Sequence, residues 1–291
     1  MSYLLSSLID KSAVVNEKVE LLHEKAFDHF SRITTEQQNK CVFLAEEKYV
    51  GKLDSSIAMV ITNKDIYSKF NEAFLDYGIC ITDNPKGLYF ELLNEFEQSN
   101  KRPDFKTVIG ENAKISKTAI ISDKNVKIGK NVFIDDFVKI YPNVTIGDNV
   151  TIQVGSVIGI QDFDMYNYNG VSRQVFHNGE TVIGDNVFIG CHCVVGQALY
   201  DYGKTIIRNN SKLNHGVLIG HNDVICENVK ISKGTLIAGW TEVGANSFFG
   251  VGAVVRNAIK IGENVTVGMG SVVTKSVDSG LTVIGNPAHP K

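Results

Sequence analysis

The sequence has no basic excess: 29 Lys+Arg stand against 32 Asp+Glu, for a net charge of -3 and a pI near 6.2. That argues against nucleic-acid or anionic-membrane partners. There is no basic segment ahead of an N-terminal apolar run, since MSYLLSSLID meets Asp10 first, so no secretory leader is expected. Nor is any uncharged stretch long enough to cross a bilayer, so no membrane insertion is expected. The five cysteines are odd in number and lack metal-type spacing, Cys191 and Cys193 forming only a C-x-C. Reduced thiols in the cytoplasm, and no metal site, are the expectation. The charge is uneven: residues 1–104 hold 12 Lys+Arg against 17 Asp+Glu, and residues 105–291 hold 17 against 15.

What is present is a period. Ile109, Ile115 and Ile121 open a six-residue series that continues, after one seven-residue step, from Ile128 through Ile134, Ile140, Ile146 and Ile152 to Ile158. It resumes at Ile183 and runs in steps of six to Val273, broken only at Asp201, in a polar stretch read as a local loop. Glycine often follows the aliphatic, as at Gly110, Gly184 and Gly220, and Asn recurs two residues later, as at Asn112, Asn186 and Asn264. Both residue types tolerate the positive φ of tight corners. Six residues cannot keep one face of a 3.6-residue helix buried. Each unit therefore reads as a short strand plus a turn, three units closing a triangular coil and about eight coils stacking. The fold class is mainly β, a parallel β-helix.

Residues 1–104 follow a different pattern. Short strands are expected at Cys41–Ala45, Ile57–Thr62 and Gly78–Thr82. Asn84-Pro85 reads as the start of a helix with Leu88, Leu92, Leu93 and Phe96 on one face. The expected organisation is a small α/β domain over 1–104 and a β-helix over 105–291 with a loop inserted at about 161–180.

Two strings, FLAEEKYV at 43–50 and LIGHN at 218–222, on this plan of a small α/β domain and hexapeptide coils, resemble the UDP-3-O-acylglucosamine N-acyltransferases of lipid A synthesis and related nucleotide-sugar N-acyltransferases. The resemblance covers nearly the whole chain and implies a left-handed β-helix and a homotrimer. It implies that Phe43 and Tyr49 flank a nucleotide base and that His221 is the catalytic histidine. An amine attacking a thioester must lose a proton, and an imidazole is a suitable acceptor. His215, one hexad earlier, and His177, in the inserted stretch, are candidate substrate contacts. That stretch, with Asp162, Phe163, Tyr166, Tyr168 and Arg173, reads as a substrate-shaping loop reaching toward an adjacent subunit.

The chain departs from the family at three places. Glu46-Glu47 stands where the family often has Asn-Pro. Ala258 occupies the place of a second histidine, which leaves oxyanion stabilisation to backbone N–H groups such as that of Gly239. The ending VIGNPAHPK lacks a long terminal helix associated with acyl carrier protein, which favours a short acyl group carried by coenzyme A. With coils of 18 residues, Gly239, Asn257 and Lys275 align with His221, and Ala238 and Arg256 lie beside them, as an expected path for acyl-CoA. Acyl-CoA is expected as a co-substrate, with no tightly bound cofactor. The reading is N-acylation of a dTDP- or UDP-linked amino sugar for surface-glycan synthesis. Its alternatives are lipid A acylation from acyl carrier protein, thiolate-assisted transfer without an enzyme base, a zinc hydrolase using His192, His215 and His221, and a non-catalytic nucleotide-sugar binder.

Overall fold

The computed structural model describes residues 2–15, 18–99 and 102–291. The chain forms two compact units, Met1–Lys101 with Phe163–Phe176, and Arg102–Asp162 with His177–Lys291. Thus Phe163–Phe176, expected as an insert of the β-helix domain, groups with the N-terminal unit.

The first unit is built on strands β1 (Glu20–His23), β2 (His29–Phe30), β3 (Lys40–Leu44), β4 (Ile57–Thr62) and β5 (Gly78–Ile81), in the order β1-β5-β4-β3-β2. Only β1 runs antiparallel to its neighbour. β3, β4 and β5 read as apolar runs because both faces of a parallel sheet are covered. The expected helix is Pro85–Ser99, and Asn84 Oδ1 accepts the Gly87 N–H at 3.0 Å as its N-cap. Leu88, Leu92, Leu93 and Phe96 are buried.

Residues 165–174 form a hairpin, Met165–Tyr168 against Val171–Gln174, turning on Asn169 and Gly170, both at positive φ. It is tied to the helix through buried Glu91, which accepts from the Tyr166 hydroxyl at 3.0 Å and pairs with Arg173 at 3.0 Å. Asn94 adds bonds to the Gln174 carbonyl and the Phe176 N–H. Burial and the nearby Glu91 carboxylate push the Tyr166 phenol up, so the hydroxyl stays a donor.

The second unit has three parallel faces. Among the described residues the first face has eight strands, beginning at Val108–Ile109, and the third has eight, beginning at Ile120–Ile121. The second has ten, beginning at Lys114–Ile115 and ending in the antiparallel His289–Pro290. Pairing is in register from coil to coil, Ile134 lying between Ile115 and Ile152 and Ile219 between Val195 and Ile237. The inward aliphatics stack into one core, each contributing roughly 1.5 to 3 kcal/mol. At the corners asparagines adopt positive φ, and their amides form ladders such as Asn131 to Asn149 at 3.1 Å. The coil passes directly from Val195 to Ile207, which pairs with Ile183, so Asp201 belongs to a loop and not to the inward series.

Candidate functional site

His221 follows the inward Ile219 by two residues and stands half-buried at the corner between the third and first faces. Its Nδ1 lies 3.2 Å from Asn222 Oδ1. That oxygen also accepts the Leu199 N–H at 2.8 Å, which sets the orientation of the carboxamide. Nδ1 therefore donates, and in the neutral ring the lone pair sits on Nε2. The His221 backbone N–H donates to Asp162 Oδ2 at 3.0 Å.

Beneath this corner Asp223 is fully buried and accepts the Gly220 and Thr241 N–H groups at 3.0 and 2.8 Å. Burial pushes its carboxyl well above the usual range; the two backbone donors act against that rise and Asp162 adds to it.

The imidazole is walled by rings. His177 meets it nearly perpendicularly at a centroid distance of 5.2 Å, and Trp240 does so at 5.9 Å, with Tyr200 6.1 Å beyond Trp240. Trp240 holds φ +64, a left-handed conformation given to Asn at most other corners, and its N–H donates to the His221 carbonyl at 2.9 Å. Gly239 lies flat against the imidazole. A Cβ there would fall 2.8 Å from Nε2 and 2.8 Å from the His221 carbonyl oxygen. Among the described residues, no acceptor takes the Gly239 N–H.

Parallel pairing of Ile219, Ile237, Val255 and Val273 aligns His221, Gly239, Asn257 and Lys275 along one edge, one coil apart, with Ala238 and Arg256 beside them. Arg256, Asn257 and Lys275 are exposed, and neither cation pairs with a described acid. His177, expected to face substrate, is only 1% exposed and backs the His221 ring instead. His215 does not join this corner. It lies at the second-to-third corner, its Nδ1 accepting the Cys191 N–H at 3.0 Å, in a depression lined by Lys212 and Lys230. His192 shares that edge, so His192, His215 and His221 do not converge on a metal within one chain.

In the first unit, Phe43 and Tyr49 line one pocket of about 140 Å³ with Ser31, Arg32, Ile33 and Thr34. Phe43 packs against Tyr89 and Phe90 at 5.0 and 5.7 Å, which fixes its plane. Lys48 and Lys52 place ammonium groups 5.0 and 5.4 Å from the Tyr49 ring.

Residues 125–159 match the bacterial transferase hexapeptide (six repeats) family, and residues 241–275 match the hexapeptide repeat of succinyl-transferase. Both stretches lie in the second unit, which therefore carries hexapeptide repeats.

UDP-3-O-acylglucosamine N-acyltransferase from Pseudomonas aeruginosa is 41% identical over 86 residues, covering 29% of this chain and 24% of the relative. The enzyme of the same name from Pseudomonas putida is 38% identical over 96 residues, covering 33% of this chain and 26% of the relative. The chain thus spans about a quarter of the length of these relatives. The solved UDP-N-acetylglucosamine acyltransferase from Campylobacter jejuni superposes with a TM-score of 0.57 at 22% identity, over 64% of this chain and 69% of that one. This is a likeness of fold, that of a left-handed hexapeptide-repeat β-helix.

Two features of the hexapeptide-repeat corner escaped the sequence reading. Trp240 is the chain's one tryptophan and stands where other corners carry Asn, which was a usable signal. Asp223 occupies a slot held by Thr205, Ser211, Val217, Val229 and Thr241 in other hexads, so a buried acid was also legible there.

Proposed function

We propose that this chain is an N-acyltransferase that moves a short acyl group from acyl-CoA to the amine of a dTDP- or UDP-linked amino sugar, with His221 as the general base. The observation that carries this reading is the fixed tautomer of His221: Asn222 engages Nδ1, which leaves Nε2 as the proton acceptor beside Gly239. The neutral sugar amine attacks the thioester carbon, Nε2 takes the amine proton, and the Gly239 N–H donates to the carbonyl oxygen as it gains charge. The tetrahedral adduct then collapses to an amide and a coenzyme A thiolate, which recovers the proton from the imidazolium. The relatives' names support the reaction type and a nucleotide-linked amino sugar as acceptor.

Phe43 and Tyr49 hold the base by stacking, worth on the order of 1 to 3 kcal/mol per ring face. The edge running from Gly239 to Lys275 receives the pantetheine arm, with Ala238 and Asn257 beside it and Arg256 and Lys275 for the phosphates. No other cofactor is needed. Outward positions of the third face, including Ile120, Val157, Leu218, Leu236, Val254 and Val272, are aliphatic, and we assign that face to contacts within a homotrimer. No described helix is long and apolar enough to cross a membrane, and we place the reaction in the cytoplasm, where acyl-CoA is available.

The relatives' name, UDP-3-O-acylglucosamine N-acyltransferase, also favours a second reading, transfer onto a UDP-linked 3-O-acylglucosamine, which the resemblance drawn from the sequence ties to lipid A synthesis and acyl carrier protein. A thiol-release screen of acetyl-, hydroxybutyryl- and longer acyl-CoA and acyl carrier protein donors, over dTDP- and UDP-amino sugars, separates the two. The first requires turnover with a short acyl-CoA, and release only from long acyl carrier protein would replace it with the second.

A further inference from the structure

Lys40 opens strand β3, between β4 and β2, and is fully buried, yet it makes no ion pair with a described acid. Its ammonium instead donates to two carbonyls of one loop, Thr35 at 2.6 Å and Ile33 at 3.0 Å. That loop is a tight turn, Arg32 to Thr35, closed by the Thr35 N–H on the Arg32 carbonyl at 3.3 Å and by the Thr35 hydroxyl on the same carbonyl at 2.9 Å. The Ser31 carbonyl is held from the other side by the Tyr89 hydroxyl at 3.0 Å.

The peptide joining Ile33 to Thr34 is the central peptide of this turn. The two common turn types differ by a flip of that unit, so the turn alone does not fix its direction. Lys40 fixes it, because a carbonyl bound to a buried ammonium points inward. In a planar trans peptide the N–H is opposite its carbonyl, so the Thr34 N–H faces away from Lys40. Thr34 and Arg32 both line the Phe43 and Tyr49 pocket, and among the described residues no acceptor takes the Thr34 N–H.

We infer that Lys40 is a positioning residue for base selection: by holding the Ile33 carbonyl inward it presents the Thr34 N–H, beside Arg32, as a donor edge that accepts a pyrimidine with a 4-keto group and disfavours a 4-amino one. This rests on the reading of the pocket as a base site. Stacking on Phe43 and Tyr49 is blind to the substituent at that ring position, so discrimination falls to the donor edge. A donor set facing an amino group leaves both unpaired, whereas facing a keto oxygen it is satisfied.

The test is calorimetric titration of the whole 291-residue chain with UDP and with CDP. The parent should bind UDP at least tenfold more tightly than CDP. Lys40→Met, nearly isosteric and uncharged, should bring that ratio close to one while changing CDP affinity by less than about threefold. Phe43→Ala should weaken both nucleotides equally. A folded Lys40→Met protein with the parent ratio, or a parent that binds both equally, overturns the inference while leaving the base pocket in place. A parent that binds neither nucleotide overturns the pocket reading itself. Should Lys40→Met not fold, amide exchange in the parent decides: UDP should slow exchange in residues 31–36 and CDP should not, and equal protection by both contradicts the proposal.

Discussion

Nδ1 of His221 lies 3.2 Å from the side-chain oxygen of Asn222, the residue that follows it, and the same oxygen accepts the Leu199 N–H at 2.8 Å. Asn222 holds φ +59, so Gly and Asp are the informative replacements there. Asn222→Asp puts an anion on the Nδ1 side and stabilises the imidazolium. The acid limb of kcat should move to higher pH by roughly 1 pH unit. Asn222→Gly releases the ring to either tautomer, and kcat should fall about tenfold with KM little changed. Both profiles are read from initial rates between pH 5 and 9, and two limbs that coincide with the parent's would separate Asn222 from the base.

Gly239→Ala should be costly out of proportion to one methyl group. Its Cβ would meet the His221 carbonyl as well as Nε2, so a side-chain rotation cannot relieve the contact. Overpacking of this kind costs about 1 to 3 kcal/mol, and displacement of the imidazole should lower kcat by at least tenfold. Thermal melts and steady-state rates on the same preparation measure the two effects. A variant with parent stability and parent kcat would place the imidazole elsewhere.

Asp223 gives a prediction about stability alone. Burial raises its carboxyl in the fold, so the folded state disfavours the charged form. Its contribution is then full below the ordinary aspartate value of 3.8 and is lost as pH rises through the raised folded value. Asp223→Asn leaves one backbone donor poorly matched, at a cost of about 1 to 3 kcal/mol. The gap between parent and variant should therefore be widest near pH 4 and narrow toward pH 8 in urea midpoints. A gap that widens with pH reverses the sign and indicates a carboxylate stabilised by its two N–H partners.

The β-helix was legible because its period is covalently fixed: every inward aliphatic in a coil of 18 residues must face the same core, so sequence spacing and spatial stacking are one pattern. Asp201 was legible for the same reason, as a polar residue at a step the core does not tolerate. The grouping of Phe163–Phe176 with the first unit was not. It depends on Glu91 meeting Tyr166 and Arg173 across about 80 positions of sequence, and isolated polar residues carry no period. His221 could be placed at a corner from its offset to Ile219, but its partner Asn222 reads as one more corner asparagine until the Leu199 loop is folded over it. The offset of one hexad already set His215 on a different corner from His221, but that its Nδ1 accepts the Cys191 N–H is visible only in the folded chain.

The third face offers a direct test of assembly. Leu218 and Val254 point outward and are about two-fifths exposed in the single chain. The protein should run as a trimer at micromolar concentration. Leu218→Glu should shift it to monomers, since a charge placed in an apolar contact is left unpaired. A parent that is monomeric by sedimentation contradicts the assignment of this face.

The central claim is that Nε2 of His221 accepts the amine proton, and the pH dependence of kcat in parent and His221→Ala tests it most directly. With the amino-sugar nucleotide and acyl-CoA pair found by thiol release, the account predicts that His221→Ala lowers kcat by roughly 10² to 10⁴, leaves both KM values near the parent's, and abolishes the acid limb. A His221→Ala protein that keeps more than about a fifth of the parent kcat, with the same acid limb, would contradict it and leave proton transfer to the departing thiolate.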